Sequence, residues 1–165
     1  MKINHNFFSN LAFNQAEINL GETKDNPSVG CVIVKNNSVI SSGVTSINGR
    51  PHAEYNALNK KVNVNNSTMY VTLEPCTHYG LTPPCSNLIK KKKIKKVYYV
   101  FDDLDERTKN KAKLVLKGAF KLDKVKKKYK NFYKSYYINK KDKLPLIDAK
   151  IAVSKDFFTK NKKSK

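Results

Sequence analysis

The chain has 165 residues, enough for one domain with a substantial core and short of what two full domains need. Its 33 basic against 13 acidic residues leave a net charge of +20, yet only Arg50 and Arg107 are arginines, and specific nucleic-acid recognition favours the bidentate guanidinium; the lysine and asparagine excess reads as compositional bias. No apolar run approaches the roughly 20 residues of a membrane span, no signal-peptide pattern opens the chain, and an odd number of cysteines argues against a disulfide framework, so a soluble cytoplasmic protein is expected.

In chain order, Phe7 to Leu20 carries Phe8, Leu11, Ala12 and Gln15 near helical spacing and predicts an amphipathic helix. Val29 to Lys35 is a nearly continuous apolar run, Asn36-Asn37 a turn, and Ser38 to Val44 a second β-rich run, together an antiparallel hairpin. Cys31, inside the first strand, reads as a small core residue. A helix is expected from His52 through Lys61, with His52 in its first turn. Thr68 to Leu73 and Lys95 to Phe101 read as strands, with a helix opened by Cys85 between them. That alternation implies a parallel pair joined by a right-handed crossover. Thr108 to Lys117 reads as another helix and Phe120 to Leu122 as a short last strand. Lys124 to Lys141 interleaves Phe132, Tyr136 and Tyr137 with lysines. Such a stripe could stack on single-stranded nucleic acid, but a lysine-coated helix laying aromatic residues on the core is preferred. The expected architecture is a three-layer α/β/α sandwich with a mixed sheet.

Two stretches carry chemistry: Pro51-His52-Ala53-Glu54, and Thr72 to Cys85, which holds Pro75-Cys76 and, after eight residues, Cys85. One imidazole and two thiols are a catalytic zinc set, which leaves a fourth tetrahedral position to water, and the ion lowers that water's pKa to about 7. His52, Cys76 and Cys85 would be the ligands. Glu54 would take the water's proton and deliver it to a ring nitrogen and then to a departing amine, the division of labour of zinc deaminases of nucleobases. Those deaminases carry two residues between the cysteines; here Thr77 to Pro84 must loop back to return the second thiol to the metal.

The segments Asn26 to Val34, Gly49 to Glu54 and Thr72 to Cys85 resemble the deaminase half of the bifunctional riboflavin biosynthesis deaminase/reductase, a cytidine deaminase-like fold. The resemblance runs from about Phe8 onward, and its most specific part is the Cys76 to Cys85 loop with Thr82-Pro83-Pro84 inside. It implies a zinc-dependent deaminase domain over residues 1–143 that converts 2,5-diamino-6-(5-phosphoribosylamino)pyrimidin-4-one to the corresponding uracil and ammonia. It also implies that Asn26 and His78 contact this small pyrimidine nucleotide-like substrate. Residues 144–165 resemble the linker and first strand of the reductase domain, with a strand expected over Lys150 to Asp156. The chain is therefore expected to lack reductase activity, and to act as a homo-oligomer or beside a partner reductase. Three departures bear on substrate. Leu81 stands where family members often carry a Lys or Arg that reaches the phosphate, Thr45 stands in place of a His, and the segment 103–112 lacks the family's glycines and prolines. In that segment an acidic Glu106 would not help hold a phosphate, and nearby Arg107 or Lys109 could compensate. The alternatives are another base-like substrate on the same fold, or an inactive zinc-containing partner of a separate reductase.

Overall fold

The computed structural model describes residues 3–149, 151–153, 155 and 157. A five-stranded mixed sheet runs in the order β2-β1-β3-β4-β5. Strands β1 (Gly30–Lys35) and β2 (Ser38–Val44) form the expected hairpin, and both turn residues, Asn36 and Asn37, take positive φ, 51° and 62°. Asparagine tolerates that conformation, and its twist matches the flanking strands. β3 (Thr68–Leu73) pairs antiparallel with β1 and parallel with β4 (Lys96–Phe101), and β4 pairs parallel with β5 (Ala119–Lys121).

Helices cover both faces. On one, α1 (His5–Glu17) sets Phe8 and Ala12 against Val32, Val34 and Tyr70; on the other, α2 (Ala53–Leu58) and α3 (Cys85–Lys91) set Ala53, Ala57, Leu58 and Ile89 against Cys31, Ile33, Met69 and Val71. Alternate strand residues face opposite layers, so β1, buried on both sides, carries no polar side chain before Lys35. Each large side chain sealed in this way contributes about 1.5–3 kcal/mol. Two glycines set the spacing. A Cβ on Gly30 would stand 1.8 Å from the Ala12 carbonyl oxygen, and one on Gly43 would stand 2.4 Å from that of Ala53, so α1 and α2 pack directly on strand backbone.

Several boundaries differ from expectation. α1 starts two residues early because the Asn4 side chain accepts from the Phe7 N–H at 3.0 Å, an N-cap. It ends at Glu17 in turns that reach Gly21 at φ 89°. His52 lies outside α2 as its cap residue in extended conformation, not in the first turn. The helix expected over Thr108 to Lys117 shrinks to α4 (Ala112–Val115), for a reason found in the site. The lysine-rich segment forms two helices, α5 (Asp123–Lys126) and α6 (Lys134–Asp142), rather than one. Lys126, Lys130 and Lys134 at i, i+4 spacing disfavour a continuous helix. Its aromatic residues do pack on the core: Tyr129 stacks on Phe13 at 3.6 Å between centroids, and Tyr133 is 2% exposed. Of the strand expected over Lys150 to Asp156, residues 151–153 form no strand, and Lys150, Ser154 and Asp156 lie outside the described residues.

Candidate active site

Three segments converge beside the C-terminal ends of β3 and β4. Extended backbone at His52 (φ −70°, ψ 159°) precedes α2, Cys76 follows β3 by way of Glu74-Pro75, and Cys85 is the first residue of α3, preceded by Pro84. Proline fits just ahead of a helix, where its missing N–H costs nothing. The loop closes as its length requires: the Cys85 N–H donates to Cys76 Sγ at 3.1 Å and the Ser86 N–H to the Cys76 carbonyl at 3.1 Å. His52 Nδ1 stands 3.8 Å from Cys76 Sγ and 3.5 Å from Cys85 Sγ, and the three donor atoms lie within 4.8 Å of one another. This is the one group of metal-ligating side chains among the described residues.

Glu54, 4% exposed, sits on the first turn of α2 beside this group. Burial, reinforced by the Cys76 charge, raises its carboxyl to about 7. Cys76 is held down to about 4, first by its bond with Cys85 and then by His52 against the opposing effect of burial, and Cys85 is pushed up by the same shared bond and by burial. Cys76 is thus the ionised thiol, and its charge adds to burial in raising both Cys85 and Glu54, an effect that a bound cation would relieve. The donor set and its mutual distances fit a divalent metal such as zinc.

A cavity of about 430 Å³ opens onto this group, lined by Glu54, His52 and Cys76 and by both expected substrate residues, Asn26 and His78. Asn26 Nδ2 donates to the Gly49 carbonyl at 3.1 Å, while its Oδ1 has no partner among the described residues. His78 Nδ1 is 2.8 Å from Thr108 Oγ1, and its Nε2 is 3.9 Å from Asp105. The three departures lie here too. Thr45 replaces imidazole with a hydroxyl that accepts from the Val29 N–H at 3.0 Å and prolongs the hairpin. Leu81 is 88% exposed at the cavity rim. Arg107 is held by Asp105 through two bonds of 2.9 and 2.6 Å, and Lys109 pairs with Glu106 at 3.3 Å outside the cavity lining.

Sequence reasoning missed Glu74. Its buried carboxylate accepts from the backbone N–H groups of Asp103 (3.4 Å), Asn110 (3.0 Å) and Ala112 (2.9 Å). Of these amides only that of Ala112 would have served a helix over Thr108 to Lys117, and Asn110, at φ 59°, breaks the helical backbone just before it. An acid directly before Pro75-Cys76 at a strand end was the available signal. Asp103, Tyr136 and Lys140 also line the cavity, with Tyr136 Oη donating to Asp103 Oδ1 at 2.9 Å. Nothing in the sequence pattern pointed from α6 to the site.

Residues 2–101 match the family model described as the cytidine and deoxycytidylate deaminase zinc-binding region. A diaminohydroxyphosphoribosylamino-pyrimidine deaminase from Buchnera aphidicola subsp. Schizaphis graminum is 36% identical over 145 residues, 84% of this chain and 97% of that protein. The riboflavin biosynthesis protein RibD of Bacillus amyloliquefaciens is 33% identical over 154 residues, 91% of this chain but 42% of that protein. The solved RibD of Acinetobacter baumannii, form 2, superposes with a TM-score of 0.75 at 34% identity, covering 82% of this chain and 39% of that one. The chain thus spans less than half the length of these RibD relatives and nearly the whole of the Buchnera deaminase.

Proposed function

Because the chain belongs to the cytidine and deoxycytidylate deaminase zinc-binding family, we propose that it deaminates the riboflavin-pathway diaminohydroxyphosphoribosylaminopyrimidine to the corresponding aminouracil and ammonia. The observation that carries this is a buried carboxyl, Glu54, beside a His/Cys/Cys group on the wall of one cavity. The printed name of the Buchnera relative, similar along almost its full length, supports the choice of substrate.

In this reading His52 Nδ1, Cys76 Sγ and Cys85 Sγ hold zinc. The chemistry the ion supplies when bound is to acidify a water, so that hydroxide is available near neutral pH. The residues of the chain do the rest. Asn26, anchored by the Gly49 carbonyl, offers its amide to the pyrimidine edge, and His78, anchored by Thr108, bounds the ring from the cysteine loop. Glu54 takes the proton of the attacking water, gives it to the ring nitrogen beside the carbon under attack, and passes a proton to the departing amine. Water adds one oxygen, ammonia leaves, and the carboxylate is regenerated. Burial of Glu54 and Cys85 limits competing solvent.

The deaminase domain is read as residues 1–143 and the remainder as the start of a reductase-like segment or a tail, with no reductase step on this domain. Helices and sheet occupy residues 5–142, and the described part of 144–149 is almost wholly exposed. The test is product analysis after incubation with the phosphorylated diaminopyrimidine and NADPH. The aminouracil with one equivalent of ammonia is expected; its reduced ribityl form would contradict the single-step reading, and unaltered substrate would refute the proposal.

A further inference from the structure

The cavity that holds Glu54 carries three cationic side chains, Arg50, Arg107 and Lys140, and they are not equivalent. Arg107 is neutralised by its two-bond pairing with Asp105. Lys140 stands 5.8 Å from the centre of the Tyr136 ring, and its charge acts on Asp103. Arg50 makes no ion pair among the described residues. It is held nonetheless. Its Nη1 donates to Thr82 Oγ1 at 2.9 Å and lies 3.5 Å from His52 Nε2, and its Nη2 lies 3.9 Å from the point where a Cβ on Gly80 would stand. The cavity's acids other than Glu54 are taken up elsewhere: Glu74 by backbone N–H groups, Asp103 by Tyr136 and the Asp105 N–H, and Asp105 by Arg107.

A guanidinium fixed through a hydroxyl and an imidazole by one nitrogen, with its other donors to spare and no acid paired with it, is an arrangement that binds a phosphate monoester, for which its planar fork is better matched than an ammonium. Leu81, the neighbour of Gly80 and Thr82, brings no competing donor. We propose that Arg50, clamped by Thr82, is the receptor for the phosphate on the substrate's ribose arm, a specificity residue for the reaction; this rests on the reading that the substrate carries such an arm. Arg50 enters from the loop before Pro51-His52, so the phosphate contact and the His52 ligand come from one segment.

The test has two arms on the zinc-loaded full chain. Calorimetric titration with ribose 5-phosphate and with ribose, for wild type and Arg50→Gln, should show a phosphate preference that weakens about ten- to hundredfold in the variant. Leu81→Lys added to Arg50→Gln should restore it, which excludes a folding defect, and Lys90→Gln, the same charge change on exposed α3, should leave it unchanged. In turnover, Arg50→Gln should raise KM for the phosphorylated pyrimidine by a larger factor than it raises KM for the dephosphorylated form. Equal ribose 5-phosphate binding by wild type and Arg50→Gln, or equal weakening by Lys90→Gln, overturns the assignment. The titration does not need turnover: a protein that deaminates nothing yet loses ribose 5-phosphate with Arg50→Gln refutes the function and leaves the phosphate receptor standing.

Discussion

Cys76 is held ionised beside Glu54 and Cys85, both of which its charge helps to push up. A three-ligand site needs both thiols, so each is individually necessary to the proposed metal centre. Cys76→Ser and Cys85→Ser should each lower bound zinc from one per chain to a small fraction, measured by elemental analysis after dialysis; retention of full zinc by either would remove it from the ligand set. At the rim, Asp105 is held well below the usual carboxylate range, first by its hydrogen bonds with Arg107. A depressed carboxyl stabilises the fold above its unfolded pKa of about 3.9 and loses that contribution as pH falls toward its folded value. Because Arg107 is largely exposed the effect is small. Urea midpoints recorded from about pH 5 down to about pH 2 should fall less steeply for Asp105→Asn than for wild type; superimposable slopes would mean the pair contributes nothing. The grouping of His52, Glu54, Cys76 and Cys85 could be read from two motifs because residue type and spacing carry it. Glu74 and Arg50 could not, since their roles depend on which backbone amides and hydroxyls the fold brings near.

Elements position these side chains through a few close contacts. Gly43 lets α2 lie on β2, and α2 begins directly after His52 and carries Glu54. A methyl at residue 43 would push on the Ala53 carbonyl, so Gly43→Ala should reduce deaminase turnover more than tenfold while lowering stability by about 1–3 kcal/mol, the usual cost of overpacking. A thermal melt and an ammonia assay on the same sample check both; unchanged turnover would show that α2 can shift without moving the site. Glu74→Ala removes the acceptor of three backbone N–H groups. With bonds to a charged group worth about 1.5–3 kcal/mol each, the 103–112 segment should open, seen as faster amide exchange at Asn110 and Ala112 with β1 and β3 still protected. Exchange unchanged at those amides would show another acceptor takes over. The hairpin was legible because Asn36-Asn37 has its own backbone preference, and β3 and β4 because their apolar runs are fixed by burial. α4 was not: its apolar residues promise a longer helix, and the break at Asn110 and the Ala112 amide's turn to Glu74 depend on tertiary contacts.

For the molecule as a whole, a mixed sheet covered on both faces followed from the alternation of strands and helices, and the packing of the C-terminal aromatic residues on the core was expected, while the elements they tie together were not. Tyr133, buried, bridges Thr72 Oγ1 at 2.6 Å and the Ser28 carbonyl at 3.2 Å, and so ties the segment after β5 to β3 and to the stretch leading into β1. Tyr133→Phe should cost about 1–2 kcal/mol in chemical denaturation, the net worth of a buried hydroxyl and the partners it leaves unpaired. No loss would show that the segment is held by its aromatic contacts alone. The sheet, the capping helices and this tie all serve to present one carboxyl beside three soft donors at a cavity wall. Ammonia release from the phosphorylated diaminopyrimidine by Glu54→Gln, compared with wild type at matched zinc content, tests that claim most directly. A fall of about 10²–10⁴-fold in turnover with zinc still at one per chain is predicted; a variant that releases ammonia at the wild-type rate would contradict it.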